Sequence, residues 1–581
     1  MNLKLSPNRK TDRTYLSIVK SYRDKETGNP KATTIESLGY LDDLEKEYTD
    51  PITYFREVAK KMTEEEDKRR KVSMSIDMDE PLEENAPGAR NTGYAVLLKV
   101  YHELGLDKFM KGKARSEGFR FNTNSIMILL TISRILSPGS KKKAFEEKGR
   151  YFERFDFSLD DIYRALTHFD KISGELQRYL HESVRTKYKS DTSIIYYDVT
   201  NYYFQINQTD ELRKRGRSKE NRKKPIVQMG LAMDKDGVPI SYEIFPGNKL
   251  DKETFRSVIG NIRKNYDTGR IIVVADMGIV TGDNIHYLVG DKPEKPKNGY
   301  VFSFSVRSGT MKFKKYVLDE KGYTDTKGKP VTEETDFKIK SRAIAREINV
   351  TMENGKTRKT NVYEKQVVFW SKKYYLKSRA ERAEILAKAE ALIADPAKFN
   401  KATTYGAASY VNNLEYDKET GEIIENGKLL SLDLDKIKEE EKFDGYYAIV
   451  TSELNMSDTT IIDTYRGLWE IEETFKITKS ELEDRPVYVR DHAHINGHFL
   501  TCFIALTILR LIQKKTTKRY SAAAVIECLN KIECINEHEN IYLFGYRSAI
   551  SDMLGRAYDI DFTKKRLRLA DIKKILGNAK K

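Results

Sequence analysis

The chain has 581 residues, too many for one hydrophobic core, so roughly three to five domains are expected. A formal net charge of +15, with 35 Tyr and 24 Phe, excludes a disordered chain and points to a globular protein that meets a polyanion. Three cysteines, Cys502, Cys528 and Cys534, exclude a disulfide scaffold and suit a reducing cytoplasm.

The N-terminus, Met-Asn-Leu-Lys-Leu-Ser-Pro, lacks an apolar signal core. The longest apolar runs, 125–136 and 499–512, fall short of the ~20 residues of a membrane span, and Arg134 and Arg510 interrupt them. No membrane partner is expected, which leaves nucleic acid as the polyanion.

In chain order, residues 14–40 read as a β-hairpin. Tyr15-Leu16-Ser17-Ile18-Val19 leads out, Thr33-Thr34-Ile35-Glu36-Ser37-Leu38 returns, and 24–30 supplies turn residues. A helix at about 51–71 and a polar linker at 72–90 follow. Residues 91–190 show helical spacing of apolar positions. Between 111 and 150 they carry ten Lys/Arg against three Glu, either a solvated face or a DNA contact.

The pattern then changes. Ile194-Ile195-Tyr196-Tyr197-Asp198-Val199 reads as a buried strand, and 226–233 and 238–245 flank the turn Asp234-Lys235-Asp236-Gly237. A helix at 251–265 and strands at 271–276 and 300–306 follow, an α+β order without repeated βαβ units. Residues 310–445 are polar and turn-rich, with one clear helix at 378–394, and read as an insertion. Strand character resumes at 443–451, then helices at 458–480 and 491–514, and a basic C-terminal region with a helix at 521–532. The expected division is 1–75 (candidate DNA-binding hairpin and helix), 76–190 (basic helical domain), 191–309 (first part of a core), 310–445 (insertion), 446–515 (second part of the core) and 516–581.

Asp198 and Asp276 each end an apolar strand, where a carboxylate is costly unless it is paired, caps a helix or binds metal. In the helix at 458–480, Tyr465, Glu472 and Lys479 are spaced seven and seven, nearly two turns each, and share one face. Glu473 lies about 100° and Glu470 about 200° around the axis from Glu472. Three carboxylates of this kind can hold two divalent ions that activate a water or a 3′-hydroxyl at a phosphodiester. Oxygen-only ligands favour Mg²⁺ or Mn²⁺. The segment 213–224 adds eight basic residues and one acid: Arg213, Lys214, Arg215, Arg217, Lys219, Arg222, Lys223 and Lys224 with Glu220. It is either a DNA-backbone contact or a plain surface loop. His494, His498 and Cys502 recur every four residues. A zinc site would need a further ligand, and helix packing is the expected role. No P-loop or dinucleotide fingerprint is present.

The ordered set Asp198, Asp276 and Glu472 resembles the acidic triad of DDE transposases with a ribonuclease-H-like fold. The helix resembles the Y-(2)-R-(3)-E-(6)-K signature of the insertion-sequence-four superfamily. Tyr465, Glu472 and Lys479 stand in register, Leu468 stands where the signature has Arg, and an Arg occurs at 466 instead, about 160° away. The segments 237–239 and 247–251 resemble the family's hairpin and Gly-Asn turn, and the long insertion between the second Asp and the Glu is also a family trait. The resemblance implies an α+β, multidomain chain whose mixed ribonuclease-H-like sheet is flanked by helices and interrupted by an insertion domain. It implies an enzyme that cuts transposon ends and joins their 3′-hydroxyls to target DNA with two Mg²⁺ or Mn²⁺ ions. It implies a homodimer in a synaptic complex, working in a bacterial or archaeal cytoplasm at the nucleoid. Tyr465, Lys479 and Arg466 would meet DNA phosphate. A metal nuclease that does not join, and a non-catalytic sequence-specific DNA-binding protein, are the alternatives.

Overall fold

Strand formation begins at the second residue. Leu16 and Ile18 alternate with polar neighbours and are fully buried, so β2 (Arg13–Arg23) presents one apolar face. It pairs antiparallel with β1 (Asn2–Asn8) and β3 (Pro30–Tyr40) in the order β1-β2-β3. The sequence signals only β2 and β3. β1 carries two leucines and no buried residue, so it lacks the apolar alternation of a covered strand. After α1 (Leu41–Leu44), Asp50 accepts a hydrogen bond from Thr53 N at 3.0 Å and Pro51 opens α2 (Pro51–Lys68), a cap followed by proline in the first turn. The structure, a computed structural model, describes residues 1–8, 12–23, 30–68, 79, 81, 84, 88–216, 224–291, 296–332, 334–396, 406–416, 423–424 and 429–581. Met1–Ala86 and Pro87–Lys581 are two compact units.

The second unit opens with β4 (Arg90–Asn91) and the helices α3 (Tyr94–Glu103), α4 (Leu106–Glu117), α5 (Thr123–Leu136), α6 (Lys141–Glu146) and α7 (Leu159–Tyr188). The main sheet then begins with β5 (Ile194–Tyr203), β6 (Ile226–Met233) and β7 (Pro239–Pro246), an antiparallel meander. α8 (Asp251–Asn265) leads to β8 (Ile272–Ala275), and α9 (Gly282–Val289) to β9 (Gly299–Phe304). Both strands run parallel to β5. The order β7-β6-β5-β8-β9 is a ribonuclease-H-like core.

Beyond α10 (Met311–Leu318), the long hairpin β10 (Phe337–Thr351) and β11 (Thr357–Ser371) joins the same sheet. The stretch expected as an insertion thus lends two strands to the core. Its remainder comprises α11 (Lys372–Ala394), the short strands β12 (Val411–Asn412), β13 (Glu415–Tyr416), β14 (Ile423–Ile424) and β15 (Ser431–Leu432), and α12 (Leu434–Glu441). This part has a small core of its own around Ala389, Leu392, Tyr410 and Ile437. β16 (Tyr446–Thr451) then inserts between β11 and β9, closing the order β10-β11-β16-β9-β8-β5-β6-β7.

The two faces of β5 divide the cores. Ile195, Tyr197 and Val199 meet Phe255, Val258 and Ile259 of α8 on one side. Tyr196 and Tyr202 face the other, which is covered by α13 (Asp458–Arg466), α14 (Trp469–Lys476) and α15 (His492–Lys515). By length and composition α15 could cross a membrane, but 94% of its apolar window is buried inside the protein, where it packs on α5 and α7. α16 (Ala522–Lys531), β17 (Glu533–His538), β18 (Ile541–Phe544), α17 (Ala549–Tyr558), β19 (Arg566–Arg568) and α18 (Leu569–Ala579) finish the unit. Its second sheet, β19-β18-β17-β4, joins this end to residues 90–91.

Candidate active site

β5 and β8 are parallel neighbours with Tyr197 opposite Ala275, so the next residues stand side by side: Asp276 just past the carboxyl end of β8, and Asp198 in the middle of β5, which runs on to Tyr203 instead of ending at the aspartate as expected. Adjacent strands lie ~4.8 Å apart, and ligands of open sheets collect at such carboxyl ends. Side-chain alternation puts both aspartates on the face of Tyr196 and Val274, beneath α13 and α14. Asp276 is exposed. Its side chain makes no cap to the short 3₁₀ turn that follows, and its Oδ1 accepts from Ser303 Oγ at 2.8 Å and Tyr465 Oη at 3.1 Å. Asp198 is half-buried, with Oδ1 accepting from Val199 N at 2.7 Å.

The helix expected over 458–480 is three segments: α13, α14 and a π turn at Ile477–Glu481. The joint between the first two has a local cause. Tyr196 Oη donates to the Thr464 carbonyl at 2.9 Å, so Leu468 N bonds Tyr465 O at 3.0 Å, one residue short of the α pattern. A Cβ on Gly467 would stand 2.0 Å from that Tyr196 oxygen, so glycine is what allows the contact. In the π turn the chain rotates fewer degrees per residue, so Lys479 departs from the stripe that a regular helix would give it.

Tyr465 bonds Asp276 and also Tyr447 Oη, at 2.8 Å. Burial, then Tyr447 and Asp276, pushes its phenol far up, so it is a neutral hydrogen-bond donor. Leu468, which stands where the signature has Arg, is buried in the core. Arg466 is exposed and paired with Asp463 at 3.3 Å. Three glutamates follow in quick succession. Arg510, 1% exposed, takes Glu470 at 2.8 Å and Glu473 at 3.3 Å, and Lys518 also bonds Glu470. Glu472 alone is exposed, with no ion pair among the described residues.

The donor set is all oxygen, which fits a hard divalent ion. Among the described residues the oxygens of Asp198, Asp276 and Glu472 do not all lie within 4.8 Å of one another; that spacing is met by Asp484, His498 and Cys502.

Residues 189–508, more than half of the chain, match the family described as the transposase DDE domain. The chain is a DDE transposase. Residues 3–73 match the N-terminal domain of IS1634 family transposases, which makes the transposase one of an insertion-sequence family. No curated protein matches it.

In the transposase, the basic segment is described at Arg213, Lys214, Arg215 and Lys224; Arg217, Lys219, Arg222 and Lys223 lie outside the described residues. Arg213 Nε donates to Asp210 at 2.6 Å, and Lys224 Nζ to Asn207 at 2.8 Å. Arg215 is exposed. Gly216 rests on the Gly247-Asn248 turn so closely that a Cβ would sit 1.8 Å from the Gly247 carbonyl. On the other side of Asp276 lies a cleft of about 290 Å³ lined by Met277, Ser303, Arg307, Tyr374, Lys377 and Tyr447. The sequence reading missed Tyr447 and Ser303; nothing in their spacing marks them.

The stripe His494, His498, Cys502 does not stay together as one group. His494 lies against the ring of Tyr163, while Asp484 completes a buried group with His498 and Cys502. Lys141 Nζ stands 2.7 Å from His498 Nδ1, and Arg134 faces Asp484 at 3.7 Å. Burial raises Asp484 to about 6, and burial together with Arg134 lowers Lys141 to about 7. Cys528 and Cys534 are buried core residues, as expected.

Proposed function

We propose that this transposase cuts the ends of its element and joins the 3′-hydroxyls to target DNA at Asp198, Asp276 and Glu472. The observation that carries the reading is the parallel pairing of β5 and β8, which brings two carboxylates side by side on the sheet face beneath the signature helix. These three residues would hold two divalent ions, Mg²⁺ or Mn²⁺. When bound, such ions make an oxygen nucleophilic at neutral pH and stabilise the charge on the leaving oxygen.

The chain's own groups do the rest. Tyr465 and Ser303 each donate to Asp276 Oδ1, orienting that carboxylate and leaving Oδ2 for a cation. Lys479 and the basic segment, with Arg213, Arg215, Lys224 and the neighbouring Arg217, Lys219, Arg222 and Lys223, would meet the DNA backbone and fix its register. Arg466, exposed beside Asp463, is open to a phosphate arriving from solvent. Two copies would work on two ends in a synaptic homodimer.

The test is strand transfer of end-containing DNA in Mg²⁺. Asp198→Ala, Asp276→Ala and Glu472→Ala should each abolish joined product while leaving DNA binding intact; wild-type joining by all three would sink the assignment. Nicked ends without joined product would reduce the activity to that of a metal nuclease. A shift of end DNA with no metal-dependent cleavage would mark a non-catalytic binding protein.

A further inference from the structure

We infer that Arg510 is a positioning residue that sets the rotation of α14 so that Glu472 faces Asp198 and Asp276; the inference rests on the reading of the site above. Arg510 lies in α15, one of the most apolar helices of the molecule, with 1% of its surface exposed. A guanidinium has five N–H donors in a fixed fork. Here the three nitrogens meet five acceptors. Nε donates to the Gly237 carbonyl at 3.1 Å. Nη1 donates to Glu473 Oε2 at 3.3 Å and Gln513 Oε1 at 3.0 Å. Nη2 donates to the Glu470 carbonyl at 3.0 Å and to Glu470 Oε2 at 2.8 Å.

Three of the five acceptors belong to α14, one to the hairpin turn between β6 and β7, and one to α15 itself. The fork therefore ties the signature helix to the sheet that carries Asp198. Glu470 and Glu473 are about 60° apart on the helix, and Glu472 points roughly 130° away from their midpoint. Holding the first two turns the third outward. The turn is shaped for this contact: Gly237 has φ +80°, and a Cβ there would sit 2.7 Å from Nη2 and 2.8 Å from Glu470 Oε2.

Stability alone is a poor reason for such a group. A buried ion pair can be replaced by apolar residues with little loss, whereas a planar fork with several fixed acceptors specifies orientation. Lysine keeps the charge and loses the fork.

The experiment compares Mn²⁺ affinity by calorimetry, and the Mg²⁺ concentration for half-maximal end cleavage, in the full-length wild type, Arg510→Lys, Glu472→Gln and the double variant. Binding of end DNA in metal-free buffer serves as the measure of fold. Arg510→Lys is expected to bind DNA as wild type and to weaken metal by about tenfold or more, the effect typical of a lost outer-shell partner. In the Glu472→Gln background it should add nothing, because Arg510 acts through Glu472. Wild-type metal dependence in folded Arg510→Lys, or an equal loss in both backgrounds, overturns the inference and leaves the active-site reading standing. Wild-type cleavage by Glu472→Gln overturns that reading and the inference with it. Should Arg510→Lys fail to fold, Glu473→Gln at the rim of the network replaces it: weakened metal binding supports the inference and unchanged binding overturns it.

Discussion

At the scale of single residues, buried charge occurs at several places among the described residues. One is the Arg510 fork. Another is the group formed by Arg134, Lys141, Asp484, His498 and Cys502, where a lysine amine is buried among helices. Burial depresses Lys141 from 10.5 to about 7. Between those values the unfolded chain holds the proton and the folded chain does not. Stability therefore rises with pH across this window, by up to about 1.4 kcal/mol per pH unit. Lys141→Met should flatten that slope, read from urea midpoints at several pH values between 7 and 10.5; an unchanged slope would show that Lys141 keeps its proton in the fold. Gly467 offers a second residue-scale test. Gly467→Ala places a methyl 2.0 Å from the Tyr196 hydroxyl and should cost about 1–3 kcal/mol. Tyr196→Phe removes the clashing oxygen, so the double variant should melt above Gly467→Ala alone; equal melting would place the strain elsewhere.

At the scale of elements, legibility followed the apolar pattern. Asp276 could be found because it closes a buried run, Asp198 because a carboxylate interrupts one, and Glu472 because its spacing from Tyr465 singles it out from Glu470 and Glu473. The hairpin of β10 and β11 could not. Its inward positions include Lys338, Lys340, Arg342 and Arg346, which read as solvated polar sequence. In the fold they lie over aromatic rings: Lys338 is 4.8 Å from the Tyr323 ring centre and Arg342 is 3.7 Å from that of Tyr316. Arg346 meets Glu364, which is fully buried, at 2.7 Å. Charge satisfied by rings and a buried acid leaves no hydrophobic alternation to detect. The joint at Gly467 and the π turn were invisible for a different reason, since both arise from contacts with β5 and the following loop rather than from local propensity. Arg510 was legible only as an interruption of an apolar run; its partners lie far away in sequence.

At the scale of the molecule, the contacts divide at Ala86, and the matched N-terminal domain ends at residue 73. Residues 87–581 produced alone should keep the melting temperature that they show in the full chain, measured by calorimetry. A large drop would mean that the first unit supports the second. The sequence division into a basic helical domain, an interrupted core and a C-terminal region marks helices correctly in many places. It does not anticipate how far one compact unit gathers them, because α15 is buried against the helices of 94–188 and the sheet alike.

The pairing of β4 with β17 has a consequence for synthesis. Asn91 donates to the carbonyls of Leu529 and Asn530, and Lys99 reaches Asn578. A ribosome adding ~5–20 residues per second needs roughly 20 seconds to a minute and a half to travel between those partners. Until then α3 has only the sequence-near helices α4 and α5 to pack on, and the surface that meets α15, α17 and α18 is covered last.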